Sequence, residues 1–343
     1  MSTHEASIGV VLPTLNCVSL LPEHLASMQP WLDLVSQVIV VDSHSDDGTV
    51  EMIRERLSHP GLRILSHPRG LYQSWNFGLR QLHTKYVYIS TVGDSITRFG
   101  LEHLREVAEQ FQCDVVASEP RFLTGDGKPL PHARWPIADV CSKLQLSEPT
   151  HIQGMKLFLL VLFYAKGGAA ILGSSASNLY RTQLLQERPF PLDFGLAGDV
   201  AWAITHVFDY RLGVTPERFS TFRRHTKAYS IKEYAVDDIY LKSFMLARDT
   251  FRQRLVVDHA LQRESDRLGC SDFLDLVSEF QEWSRRLRKL RKGNKLWVFS
   301  LATWHARTMR NRVRRQVNKR ENVMRKNFGI RCGFALPPSA EII

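Results

Sequence analysis

Covalent and metal bracing are scarce in this 343-residue sequence. Its five cysteines, Cys17, Cys113, Cys141, Cys270 and Cys332, are scattered without one C-x-x-C pair. That spacing argues against a disulfide framework and against a zinc site, and it suits a reducing cytosol. No apolar run is long enough to cross a bilayer. The most apolar segment, LFLLVLFYA (157–165), has nine residues, about half of what a spanning helix needs, and reads as a buried helix. The N-terminal MSTHEASIGVVLPTLN lacks the basic region and the long apolar run of a secretory leader, so a cytoplasmic location is expected. Acids are nearly missing from one stretch: between Arg285 and Arg331, 17 Lys/Arg face a single acid, Glu321. The remainder holds 28 bases against 34 acids, so the net charge of +10 belongs to the C-terminal tail. Carboxylates are also few in KYVYISTVGDSITR (85–98), where an apolar strand runs into a turn whose one acid is Asp94.

What is present supports a large core. Hydrophobic residues make up 44% and charged residues 23%, the balance of a globular chain with one large domain and an appendage. The first 120 residues alternate with a regular beat. IGVVLPT (8–14), SQVIVVDS (36–43), LRILSH (62–67), YVYISTV (86–92) and DVVASEP (114–120) are short apolar runs rich in β-branched residues. Between them lie helical patterns: LPEHLASMQPWL, TVEMIRERL with Val50, Ile53 and Leu57 on one stripe, LYQSWNFGLRQLH, and LEHLREVAEQFQ. Such an alternation predicts an α/β fold with a mostly parallel sheet and helices on both faces. Ligands of such sheets bind beyond the carboxyl ends of the strands, which directs attention to the loops after Thr14, Asp42, Ser66 and Val92. Residues 120–235 are less regular, and 236–292 read as helical.

Three loops carry a family likeness. PTLN (13–16) closes the first strand, VVDSHSDDGT (40–49) closes the second, and RGLYQSWNFGL (69–79) opens the helix before the fourth. In order and spacing they resemble the family 2 glycosyltransferases of the GT-A fold, of bacterial type. That family shows P-T-x-N, V-V-D-x-x-S-x-D-G-T and G-x-x-x-A-x-N-x-G segments, then a strand ending in a D-x-D-like cluster. The likeness covers residues 8–120 well, and GSSASNLYR (173–181) and FPLDFGLAGDVAW (190–202) resemble the acceptor-side half. It implies a catalytic domain over 1–235, with a nucleotide-sugar half (1–120) and an acceptor half (121–235). A helical region with a basic amphipathic tail, 236–343, follows.

The resemblance also implies roles. Asp42, at a strand's carboxyl end, would accept hydrogen bonds from a base N–H, with Pro13, Thr14 and Asn16 in the neighbouring turn. Asp46 and Asp47 read instead as capping and first-turn acids of the next helix. Arg69 lies on the loop that passes the diphosphate in relatives. Where the family often has an Arg before its Asn, this chain has Trp75, so Arg69 is the substitute. Asn76 either contacts ligand or fixes its loop through backbone hydrogen bonds. Asp94 would hold Mg²⁺ or Mn²⁺ with the diphosphate, since such an ion needs few protein carboxylates. Its alternative is a turn acid. His225 is the candidate second ligand or else a solvated loop residue. Asp199 would be the general base of an inverting transfer or a plain N-cap, with Gly198 where the family commonly has Glu. Trp202 either walls the sugar or belongs to the core. Arg223 and Arg224 would clamp phosphate oxygens or form a strand-edge charge pair.

The basic tail has three readings. With Trp297, Phe299, Leu301 and Trp304 it has the composition of a segment lying on an anionic bilayer, placing the protein at the inner face of the cell membrane. A packed helical appendage and a nucleic-acid contact are the others; no nucleic-acid fold signature accompanies the run. The expected activity is therefore transfer of a sugar from a UDP-, GDP- or dTDP-linked donor to a saccharide, lipid-linked or protein acceptor. A catalytically inactive scaffold of the same fold is the alternative. A nucleotidyltransferase is disfavoured, because PTLN stands where its Gly-rich basic loop is required.

Overall fold

A computed structural model describes residues 7–131, 133, 135–164, 172–224, 236–268, 270–293 and 301–332. The chain divides into two compact units, Met1–Glu233 and Tyr234–Ile343. The first begins β1 (Ile8–Thr14), α1 (Leu21–Met28), a 3₁₀ turn (Gln29–Leu34), β2 (Val35–Asp42), α2 (Thr49–Arg56), β3 (Leu62–Ser66), α3 (Leu71–Leu79), β4 (Tyr86–Ile89), β5 (Ser95–Ile96) and α4 (Arg98–Gln110). It continues through β6 (Val115–Ala117), β7 (Arg121–Thr124), α5 (Pro136–Leu144), β8 (Thr150–Ile152), α6 (Gly154–Tyr164), β9 (Asn178–Arg181), α7 (Thr182–Glu187), α8 (Gly198–Thr205), β10 (Leu212–Val214) and β11 (Ser220–Arg224).

Eight strands form the main sheet in the order β3-β2-β1-β4-β9-β6-β10-β8. β3, β2, β1 and β4 run parallel; β9 is antiparallel to both β4 and β6, and β8 is antiparallel to β10. The mostly parallel α/β fold expected from the alternating runs is the one observed. A small sheet, β5-β11-β7, stands at the carboxyl end of β4.

Strand side chains alternate between two buried faces. Val10 and Leu12 of β1 and Val38 and Val40 of β2 pack with Leu21, Leu25 and Met28, the one-sided stripe of α1, and with Leu101, Leu104 and Val107 of α4. The opposite face receives α3, which comes so close that a side chain on Gly78 would lie 2.8 Å from Val11 and 3.0 Å from Val41. This tight seat brings the N-terminus of α3 to the carboxyl edge of β1 and β2, where the conserved geometry of such sheets places ligands.

The second unit contains α9 (Val236–Val257), α10 (His259–Leu268), α11 (Ser271–Gly293) and α12 (Leu301–Cys332). Buried positions on α12, namely Thr303, Ala306, Val313, Val317 and Met324, recur at spacings of three, four and seven residues, which puts them on one stripe. α11 and α12 pack antiparallel, with Trp283 edge-on to His305 and Arg310 over the Phe280 ring. Leu301 and Trp304 are exposed, as are Arg307, Arg312, Arg314, Arg315 and Lys319. No helix among the described residues is long and apolar enough to cross a membrane. Trp297 and Phe299 lie outside the described residues.

Candidate active site

The turn after β1 and the turn after β2 are locked together by side chains. Thr14 and Asp42 are register partners on adjacent strands. Asp42 is buried, and its Oδ1 accepts the Thr14 hydroxyl at 2.8 Å and the Ser45 hydroxyl at 2.6 Å. Its Oδ2 accepts the Ser45 N–H at 2.8 Å, which leaves one lone pair of that oxygen for a ligand N–H. Asn16, exposed and in the left-handed region (φ 45°), accepts the Asp46 N–H at 3.0 Å, while its own N–H donates to Ser45 Oγ. Pro13 is half-buried beside it. Thr14, Asn16 and Asp42 thus meet around Ser45, a residue the sequence reading did not single out.

Asp46 and Asp47 stand before α2 rather than in its first turn, and Asp47 still caps it by accepting the N–H of its first residue, Thr49, at 3.0 Å. α2 starts at Thr49, and Gly48 is its N-cap. Asp47 accepts the Val18 N–H at 3.0 Å and the Thr49 hydroxyl at 2.6 Å, so it staples the β1 turn to the start of α2. These bonds hold its carboxyl below the ordinary range despite the opposing cost of burial.

The end of β4 is organised by a histidine. His24 of α1 is buried, with Nδ1 3.0 Å from the Asp94 carbonyl and Nε2 3.1 Å from Ser90 Oγ. A carbonyl can only accept, so Nδ1 carries the proton and Nε2 accepts the Ser90 hydroxyl. Burial lowers the His24 pKa to about 4, which keeps the ring in that neutral form. Asp94 itself is 6% exposed. Its Oδ1 accepts the Arg223 N–H of β11 at 3.0 Å, and Ser174 Oγ lies 3.4 Å from Oδ2. With so few donors, burial dominates and pushes its pKa up to about 7.

This donor set does not amount to a metal centre. Asp94 is one carboxylate aimed at β11, and no group of three His, Cys, Asp or Glu that could hold an ion occurs among the described residues. His225, the expected second ligand, lies outside the described residues. Arg223 forks onto both oxygens of Glu23 on α1, with Nη1–Oε2 at 2.7 Å. Its guanidinium is already committed to a carboxylate, and Arg224 is exposed at the strand's end. Arg69 is exposed on the loop before α3.

Asp199 is the second residue of α8, whose N-cap is Ala197, so it is not the N-cap that the plainer reading expected. It is half-buried. Its Oδ1 accepts the Val200 N–H at 2.8 Å and lies 2.8 Å from the Tyr72 hydroxyl, while Oδ2 has no partner among the described residues. Burial raises its pKa above the usual carboxylate value. Asn76 takes the second of its two sequence readings: it accepts the Phe190 N–H at 2.9 Å and donates to the Phe190 carbonyl at 2.8 Å. Trp75 is buried against Tyr72 and Phe190.

Trp202 walls no cavity. It is fully enclosed, stacks on Tyr210 at 5.6 Å, and donates its ring N–H to the Arg188 carbonyl at 2.6 Å. One helical turn after Asp199 it has rotated onto the inward face of α8, which makes it core, the second of its two sequence readings, and takes it out of the sugar-contact role. An open cleft of about 500 Å³, lined by Gln112, Asp114, Gln153 and Arg211 among others, sits at the amino ends of β6 and β10. Its charges are spent on structure: Asp114 accepts from Arg181 and from the Arg211 N–H, and Arg211 donates to Gln153. The candidate site is the opposite, carboxyl edge.

Known proteins give a consistent comparison. The family model described as "Glycosyl transferase family 2" matches residues 9–178. Among solved structures, S. aureus TarS 1-349 in complex with UDP-GlcNAc superposes with a TM-score of 0.57 at 14% identity, covering 96% of this chain and 93% of that one. The same protein in complex with UDP gives 0.53 at 16% identity, covering 98% and 94%. No curated protein matches the sequence. At these identities the structural likeness concerns the fold.

Proposed function

Because residues 9–178 belong to glycosyl transferase family 2, we propose that the protein transfers a sugar from a nucleoside-diphosphate donor to a hydroxyl of a saccharide, lipid-linked or protein acceptor, with inversion. Asp42 with Thr14 and Asn16 receives the base, and the diphosphate passes the loop of Arg69 towards the end of β4. The acceptor oxygen attacks the anomeric carbon as the bond to the diphosphate breaks, and the diphosphate leaves with that bond's electron pair. Asp199 takes the acceptor's proton. Carrying this reading is the state of Asp199: one oxygen fixed by two hydrogen bonds, the other without a described partner, in a site where burial raises proton affinity.

Among the described residues, those around Asp94 do not assemble a metal site, and no step is assigned to an ion. Mg²⁺ or Mn²⁺ enters the proposal only as an ion carried by the donor's diphosphate, for which Asp94 is the described carboxylate. The same shortage favours one competing reading, a scaffold of this fold that has lost transfer. A thermal-shift screen with UDP, GDP, CDP and dTDP, with and without Mn²⁺, addresses both. Protection by one nucleotide is expected. Protection with no turnover of the matching sugar donors indicates the scaffold, and no shift with any of them defeats the nucleotide site. Asp199→Asn is expected to lower transfer by at least about 100-fold.

Peripheral attachment belongs to the same proposal. The outward side of α12 presents Leu301 and Trp304 together with Arg312, Arg315 and Lys319, suited to anionic headgroups. Vesicles of phosphatidylglycerol are expected to bind the full chain at low salt, and replacing those three bases by Glu should abolish it. Equal binding by both proteins would remove the membrane from the reading.

A further inference from the structure

Helix α3 grips the segment carrying Asp199 at two points one turn apart. Asn76 holds the amide and carbonyl of Phe190. Tyr72, 3% exposed and packed on Trp75 and Phe190, places its hydroxyl 2.9 Å from the Leu196 carbonyl and 2.8 Å from Asp199 Oδ1. Since the Val200 N–H also donates to Oδ1, both lone pairs of that oxygen are used.

Position 198 supplies a second, independent observation. A side chain there would start 2.5 Å from two carbons of the Tyr72 ring and 2.8 Å from the Pro191 carbonyl. The ring of Tyr72 fills the volume that a larger residue at 198 would need, so ring and glycine fit each other.

We propose that Tyr72 is the positioning residue of Asp199: its phenol fixes Oδ1, leaves Oδ2 to receive the acceptor's proton, and requires Gly198 for its ring. This rests on reading Asp199 as the base. While the carboxylate is ionised, the Tyr72 hydroxyl donates to Oδ1. Once Oδ2 has gained a proton, Oδ1 is the carbonyl oxygen of the acid and still accepts the Tyr72 hydroxyl. The contact survives both states and is stronger to the carboxylate. Titratable groups facing Asp199 are Tyr72 on α3 and Tyr180 on β9, and no cation acts on it among the described residues. Burial keeps both phenols protonated, Tyr180 being pushed up to about 12.

The test uses the full chain labelled with [4-¹³C]aspartate, with the Asp199 resonance assigned by its loss in Asp199→Asn. A donor to a carboxylate favours the ionised form, so removing it in Tyr72→Phe moves the titration midpoint upward, by about one pH unit. Gly198→Ala displaces the ring and gives a shift of the same sign. Because both act through one bond, the double variant adds nothing to Tyr72→Phe. The acid limb of sugar turnover moves with the midpoint, and the rate falls about tenfold with the donor KM unchanged. An unchanged midpoint in Tyr72→Phe overturns the proposal, even if Gly198→Ala fails to fold. Full transfer by Asp199→Asn would instead overturn the base reading, so the two failures are told apart.

Discussion

Asp42 and Asp94 are both strand-end carboxylates, 4% and 6% exposed, yet the protein treats them differently. Asp42 collects three short donor contacts from Thr14 and Ser45, whose bonds tie two loops together. Asp94 has one backbone N–H at 3.0 Å and one hydroxyl at 3.4 Å, and burial pushes its pKa up to about 7. Equal burial does not mean equal electrostatic cost. What decides is how many dipoles replace the lost water.

The sharpest way to break that comparison is to remove the ionisable group at the poorly served end. Asp94 titrates near 7 in the folded chain but near 3.8 in the unfolded one. Between those values the folded state binds more protons, so stability falls as pH rises, by on the order of 4 kcal/mol in all. Asp94→Asn cannot ionise, and its Tm should exceed that of wild type at pH 8 and lose this advantage by pH 4. His24 of α1, bonded to the same turn, has the opposite sign. Its folded pKa of about 4 lies below the ordinary 6.5, so the unfolded state binds more protons between them. Stability then drops as pH falls through that window, by about 3 kcal/mol. His24→Gln keeps a donor and an acceptor without charge, and should flatten the acid side only. If both variants followed the wild-type pH curve, the contrast in solvation would be wrong.

The smallest effect is expected at the well-served end. Thr14→Val removes one of three donors to Asp42 and should cost about 1 kcal/mol, a Tm change of about 2–4 °C at any pH between 5 and 8. Nucleotide protection should weaken with it. A loss as large as that of Asp42→Ala would mean that Thr14 alone holds the carboxylate.

Much of the sheet was legible from the chain. IGVVLPT is β1 residue for residue, and TVEMIRERL is α2 plus one, because local periodicity and β-branching decide short elements. The place of Asp42 at a strand's carboxyl end was legible too, whereas the part of Ser45 in that turn was not. Residues that act through distant partners were not. Tyr72 meets Asp199 across 127 positions, His24 meets Asp94 across 70, and Arg223 meets Glu23 across 200. The departure at Gly198 was the one visible sign, and it pointed to a missing side chain without naming what occupied its place. Trp202 stayed open between two readings for a related reason: spacing puts it one turn from Asp199, but only packing tells which face of α8 is inward.

The sequence by itself determined the alternation of strands and helices, the strand ends that form the carboxyl edge of the sheet, and the concentration of positive charge after residue 285. These follow from local propensity, hydrophobic period and composition, which need no partner. Tertiary structure decided which acids at those ends are surrounded by donors, which ring stands against Asp199, and which arginine is already paired. Those are properties of side chains brought together from far apart, and their energies depend on burial and on the count of hydrogen bonds made there.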